Sequence, residues 1–82
     1  MPKILVVDDE QNMRTGLKDN LEFEGYDVET ANDGEQGLKK IIENSYNLII
    51  LDVMMPNKSG FDVCKEVRKS GITTPIILLT AK

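Results

Sequence analysis

The 82-residue sequence contains no histidine and only one cysteine, Cys64. Without histidine, the chain cannot use an imidazole base in catalysis or hold a metal through imidazole ligands. A single cysteine can form neither an internal disulfide nor a zinc site, and its place on an apolar helical stripe is typical of the core. Any chemistry at a site in this chain must therefore rest on oxygen ligands.

Excess positive charge is also missing. Lys and Arg number 10 and Asp and Glu number 14, so the net charge is −4. This balance offers no basic surface for nucleic acid, and we expect this domain itself to contact none. We find no apolar run of about 18 residues and no signal peptide, which predicts a cytoplasmic domain without membrane contact. The apolar fraction of 40% is typical of a folded chain.

Four segments have the pattern of β-strands. Residues 48–51 and the apolar parts of 3–7 and 75–80 are continuous aliphatic runs. Such runs are typical of strands that are buried on both faces in a parallel sheet. Residues 26–30 instead alternate polar and apolar side chains, which predicts a half-exposed edge strand.

Three helices are predicted between these strands. The first spans about 12–24 and stops at Gly25, a residue that favours helix ends. Asn32 and Glu35 have capping-box spacing for a second helix through Asn44, and Ser59 begins a third in the same way. The inward stripes are Met13, Leu17 and Leu21; Leu38, Ile41 and Ile42; and Val63, Cys64 and Val67. The order β-α-β-α-β-α-β predicts an α/β domain with a doubly wound parallel sheet.

Acidic residues follow two of the buried strands. Asp8 and Asp9 end the first strand and Asp52 ends the third, while Thr80 ends the fourth. Parallel strands place these ends at one sheet edge, where α/β proteins bind ligands. Three carboxylates held close together repel one another unless a cation is present, and oxygen ligands favour Mg²⁺. The alternative is that such acids only cap the following helix, as Asp9 or Glu10 could do for the first helix.

Three motifs together resemble the receiver domain of bacterial two-component response regulators. They lie at residues 4–10, ILVVDDE, at residues 51–56, LDVMMP, followed by Gly60, and at residues 79–81, LTA. The resemblance covers the whole chain in order. It implies the flavodoxin-like receiver fold with the strand order 2-1-3-4.

The resemblance also implies roles for individual residues. Asp52 would be the phosphoacceptor, receiving a phosphoryl group from a sensor histidine kinase. Mg²⁺ would be bound by Asp52, by Asp9 directly, by Asp8 mostly through water, and by the backbone carbonyl of Met54. Thr80 would contact the phosphoryl group as the switch residue. Ala81 would leave room for it. A receiver is a signalling domain, whose own chemistry is at most self-phosphorylation from small phosphodonors and self-dephosphorylation.

The family pattern continues beyond the fourth strand. Receivers have a fourth helix, a fifth strand ending in a lysine, and a fifth helix, and no residue of this chain matches them. We therefore expect residues 1–82 to be a C-terminally incomplete receiver domain with part of one sheet face uncovered. We expect such a chain to fold stably only with a partner. The partner would be a second copy, in a homodimer formed through the exposed sheet face, by sheet-edge pairing or by domain swapping, or else a missing C-terminal segment.

Two other functions compete with phosphoryl acceptance. The first is a non-phosphorylated dimerisation or interaction module, favoured by the absence of the fifth-strand lysine. The second is a Mg²⁺-dependent phosphatase with an aspartate nucleophile. It is disfavoured because Met54 stands where such enzymes carry a second acid.

Overall fold

A computed structural model describes residues 1–80 of the chain, so Ala81 lies outside the described residues. The elements alternate along the chain as β1 Lys3–Val7, α1 Gln11–Phe23, β2 Asp27–Ala31, α2 Gly34–Glu43, β3 Leu48–Asp52, α3 Gly60–Lys69 and β4 Ile76–Leu79. All strand pairs are parallel, and their order in the sheet is β2-β1-β3-β4. The predicted fold class and strand order are therefore confirmed. No helix within residues 1–80 is long and apolar enough to cross a membrane.

The helices cover the two faces of the sheet unequally. Alternate residues of β1 point to opposite faces, so Leu5 contributes to one core cluster and Val6 to another. The larger cluster lies under α2 and α3 and includes Val63 and Val67, both fully buried. The smaller cluster lies under α1, and its buried members within residues 1–80 are Ile4, Val6, Val28 and Ile50.

The sheet face on the α1 side is partly open. The structure describes α1 throughout, and none of its residues is fully buried. On β4, Ile77 pairs in register with Ile50, yet its exposed fraction is 48%. Among the three helices described within residues 1–80, α1 is the one that packs on this face, against β1 and β2, and this leaves Ile77 on the outer strand β4 in contact with solvent. The predicted uncovered apolar surface therefore includes Ile77.

The second helix begins one residue later than its pattern predicts. The capping side chain is Asp33, not Asn32, and its Oδ1 accepts a hydrogen bond of 2.8 Å from the Gln36 amide. Ile42 is also wrongly predicted as inward, since it is 55% exposed while Ile41 is buried. Successive helical residues point about 100° apart, and this rotation turns Ile42 away from the sheet. The Ser59 cap of α3 is confirmed, with a 3.2 Å bond from the Asp62 amide.

Candidate metal centre

Three carboxylates lie together at the carboxyl edge of the sheet. Asp8 and Asp9 directly follow β1, and Asp52 is the last residue of β3. The two strands are neighbours in register, and one oxygen from each acid lies within 4.8 Å of the other two. The structure thus places these acids as the strand pattern indicated, within reach of a single cation.

Burial differs sharply among the three acids. Asp8 and Asp52 are 1% and 0% exposed, whereas Asp9 is exposed to solvent. Removing a carboxylate from water is costly unless hydrogen bonds or a counter-charge compensate. Within residues 1–80, every buried side-chain oxygen and nitrogen has a hydrogen-bond partner. The cluster therefore combines two buried acids, Asp8 and Asp52, whose buried oxygens are hydrogen-bonded, with one solvent-exposed acid, Asp9.

Backbone contacts hold Asp8 in place. Its amide donates to the Ala31 carbonyl at 3.2 Å, which ties the end of β1 to the end of β2. Its Oδ1 accepts from the Glu10 amide at 2.9 Å, and its carbonyl accepts from Nη1 of Arg14 at 2.8 Å. Arg14 thus supports the site through the main chain. Its position six residues after Asp8 gave no sequence signal for this role.

The loop of residues 53–60, called here the 53–60 loop, holds Asp52. The Met54 amide donates to Asp52 Oδ1 at 3.1 Å, and the Gly60 amide donates to the Val53 carbonyl at 3.1 Å. A Cβ atom at Gly60 would collide with the Asp52 carbonyl oxygen, so only glycine allows α3 to start so close to β3. Met55 is buried in the core below, while Met54 is 63% exposed.

Thr80 lies at the same sheet edge. Leu79 pairs in register with Asp52, and its carbonyl accepts a 3.0 Å hydrogen bond from the Val53 amide. Thr80 is the next residue, and it is exposed. The structure therefore brings Asp8, Asp9, Asp52 and Thr80 to one edge, with the Met54 backbone beside Asp52.

The donor set indicates which chemistry the site can support. Three carboxylates without sulfur or imidazole suit a hard divalent cation, and a carboxylate can also act as a nucleophile. A doubly wound parallel sheet with a polar cluster beyond its strand ends defines a flavodoxin-like α/β domain with a ligand site at the carboxyl edge.

Comparison with known sequences identifies the family. The model of the response regulator receiver domain family matches residues 4–82, and the chain belongs to this family. It is 49% identical over 82 residues to the response regulator ArlR of Staphylococcus saprophyticus. It is 54% identical over 80 residues to PhoP of Bacillus subtilis, an alkaline phosphatase synthesis transcriptional regulatory protein. The matches span 100% and 98% of this chain but 37% and 33% of these relatives.

Solved structures agree with this assignment. The response regulator TrrA of Thermotoga maritima, solved in complex with Mg²⁺–BeF, superposes with a TM-score of 0.94 and 51% identity. That match covers 100% of this chain and 71% of the TrrA chain. TrrA has also been solved in complex with the histidine kinase ThkA, with a TM-score of 0.91 over 99% of this chain and 70% of the TrrA chain, at 52% identity.

Proposed function

We propose that this receiver domain accepts a phosphoryl group on Asp52 from a sensor histidine kinase, with Mg²⁺ as its cofactor. The observation that carries the proposal is the cluster of Asp8, Asp9 and Asp52, whose oxygens lie within 4.8 Å of one another. The matched structure of TrrA contains Mg²⁺–BeF, and TrrA forms a complex with a histidine kinase. The proposal covers this domain, and the relatives are about three times as long.

The residues present fit a magnesium ion. Asp8, Asp9 and Asp52 are hard oxygen donors, and the Met54 carbonyl lies in the backbone that follows Asp52. When bound, Mg²⁺ would offset negative charge on the phosphoryl oxygens during transfer. The buried pair Asp8 and Asp52 would form the base of the site, and the exposed Asp9 its entrance.

The transfer itself needs Asp52 as nucleophile. One carboxylate oxygen would form a bond to phosphorus while the bond from phosphorus to the kinase imidazole nitrogen breaks, leaving that histidine neutral once it takes a proton. The Met54 amide, which donates to Asp52 Oδ1 at 3.1 Å, would orient the carboxylate for this attack. Because residues 1–82 contain no histidine, a phosphohistidine donor would lie outside these residues.

Thr80 would report the modification. Its position one residue past the register partner of Asp52 is consistent with its hydroxyl donating a hydrogen bond to a phosphoryl oxygen. Ala81 would leave space beside it. The domain would thus act as a signalling module, and a cytoplasmic location is consistent with its relative PhoP being a transcriptional regulatory protein.

Intact-mass measurement after incubation with acetyl phosphate and Mg²⁺ tests the proposal. We expect a single phosphoryl adduct on the wild-type chain and none on Asp52→Asn. Asp62→Asn, which changes an exposed acid in the first turn of α3, serves as the matched control and should retain the adduct. An unmodified wild-type chain would support a non-phosphorylated interaction module instead, and an adduct that persists in Asp52→Asn would refute the assigned residue.

A further inference from the structure

Gly34, the first residue of α2, lies against the 53–60 loop. It is buried, and a Cβ atom placed on it would be 2.7 Å from the Lys58 carbonyl oxygen. The same atom would be 3.0 Å from Cγ2 of Val63 and 3.1 Å from Cβ of Lys58. The second helix therefore begins in direct backbone contact with the loop that follows Asp52.

This contact cannot be relieved by a side-chain rotation, because its nearest atom belongs to the main chain. The Lys58 side chain also forms an ion pair with Glu66 of α3. Lys58 is therefore held between α3, through this ion pair, and the start of α2, through the close approach of Gly34 to its backbone. The start of α2 is itself held by the Asp33 cap, whose side chain accepts a hydrogen bond from the Gln36 amide. A methyl group at position 34 would therefore have to displace the 53–60 loop or the end of the helix.

The loop transmits such a displacement to Asp52 over a short path. The Lys58 amide donates to the Pro56 carbonyl at 2.8 Å, and Met55 is anchored in the core. Two residues beyond Lys58, Gly60 is bonded to Val53 and packs on the Asp52 carbonyl. A shift at Lys58 would thus alter the backbone around Met54, whose amide orients the Asp52 carboxylate.

We infer that Gly34 is a positioning residue for the cation site: the lack of a side chain there sets the 53–60 loop and thereby the affinity for Mg²⁺. This inference rests on the proposed function, since it assumes that the acidic cluster binds Mg²⁺. Outer residues that orient metal ligands typically change metal affinity 10- to 100-fold when they are altered.

Titration of the ¹⁵N-labelled full chain with MgCl₂, followed by amide chemical shifts, tests the inference. We expect the dissociation constant for Mg²⁺ to rise about tenfold in Gly34→Ala. We also expect the amides of residues 53–60 to shift in this variant before metal is added. Sucrose in all samples would favour the compact state and keep the variants folded.

Two matched variants separate positioning from loss of stability. Gly16→Ala makes the same substitution in α1, where a Cβ would meet nothing within 4 Å, and it should leave the affinity unchanged. Val28→Ala weakens the core on the opposite face of the sheet and should also leave the affinity unchanged. The double variant Gly16→Ala/Gly34→Ala adds a residue of higher helix propensity in α1 and should bind Mg²⁺ as weakly as Gly34→Ala.

The outcomes separate this inference from the proposed function. Wild-type affinity in a folded Gly34→Ala chain, or an equal loss of affinity in Val28→Ala, would overturn the positioning role while leaving the cation site intact. A wild-type chain that does not bind Mg²⁺ would overturn the site itself, and the inference with it.

Discussion

The Tyr46 hydroxyl donates a 2.7 Å hydrogen bond to Oε1 of Glu29, joining the segment before β3 to the edge strand β2. Nζ of Lys3 lies 3.0 Å from Oε2 of the same carboxylate and 5.3 Å from the centre of the Tyr46 ring. The hydrogen bond from Tyr46, followed by that from Lys3, lowers the pKa of Glu29. Burial, then the bond to Glu29, raises the pKa of Tyr46.

The Glu29 interaction predicts a pH-dependent stability. The pKa of Glu29 is lower in the folded chain than in the unfolded chain. The Glu29 carboxylate therefore stabilises the fold at pH values above its pKa in the unfolded chain, and this stabilisation is lost as the pH falls through its pKa in the folded chain. We expect Glu29→Gln to lower the free energy of unfolding by about 1 kcal/mol at neutral pH, and by less below about pH 4. Urea unfolding at pH 7 and pH 3 measures this. Glu24→Gln, in an exposed residue after α1, should show no such difference, and an equal loss at both pH values would contradict the prediction.

The acidic cluster predicts that Asp9→Asn affects the melting temperature differently in the absence and in the presence of Mg²⁺. In metal-free buffer, Asp9→Asn should leave the melting temperature unchanged or raise it, because a like charge is removed from the cluster. With Mg²⁺ added, the wild-type chain should gain thermal stability and Asp9→Asn should gain much less. Thermal melting in EDTA and in MgCl₂ measures both effects. Equal stabilisation of the two chains by Mg²⁺ would exclude Asp9 as a ligand.

The Ser59 cap predicts that removal of its hydroxyl lowers the stability of the chain. Its Oγ accepts the Asp62 amide, which otherwise lacks a partner in the helix. Ser59→Ala should therefore lower the free energy of unfolding by about 1 kcal/mol, as measured by urea denaturation. Ser45→Ala, in an exposed residue before β3, provides the control and should be nearly neutral. A similar loss in both variants would show that capping is not the cause.

The uncovered sheet face predicts self-association. Ile77 lies 48% exposed on the edge strand β4, and exposed apolar edge strands favour pairing between copies. We expect the chain to associate with rising concentration in sedimentation velocity, and Ile77→Lys to suppress this. Ile42→Lys is the matched control, since Ile42 is 55% exposed on α2 and should not affect association. A wild-type chain that stays monomeric at all concentrations would contradict the prediction.

Most of the fold could be predicted because its signals are local. An aliphatic run that ends in an acid indicates both a buried strand and the residue at which that strand ends. Strand β3, which ends at Asp52, is an example. Errors arose where neighbouring residues offer similar local chemistry. Asn32 and Asp33 are both good caps, and the backbone selected Asp33, which is extended while Gly34 already belongs to the helix.

The sequence by itself determined the strands, the order of elements and the identity of the three acids, because hydrophobic period and strand ends depend on residues close along the chain. Only the tertiary structure decided which side of β4 is uncovered, that Tyr46 meets Glu29, and that Gly34 touches Lys58. These contacts join residues 17 and 24 positions apart, so they exist only once the sheet has brought separate elements together. The physical reason is that a contact between two elements depends on how closely those elements pack. The hydrophobic pattern of a single strand or helix carries no information about that packing distance.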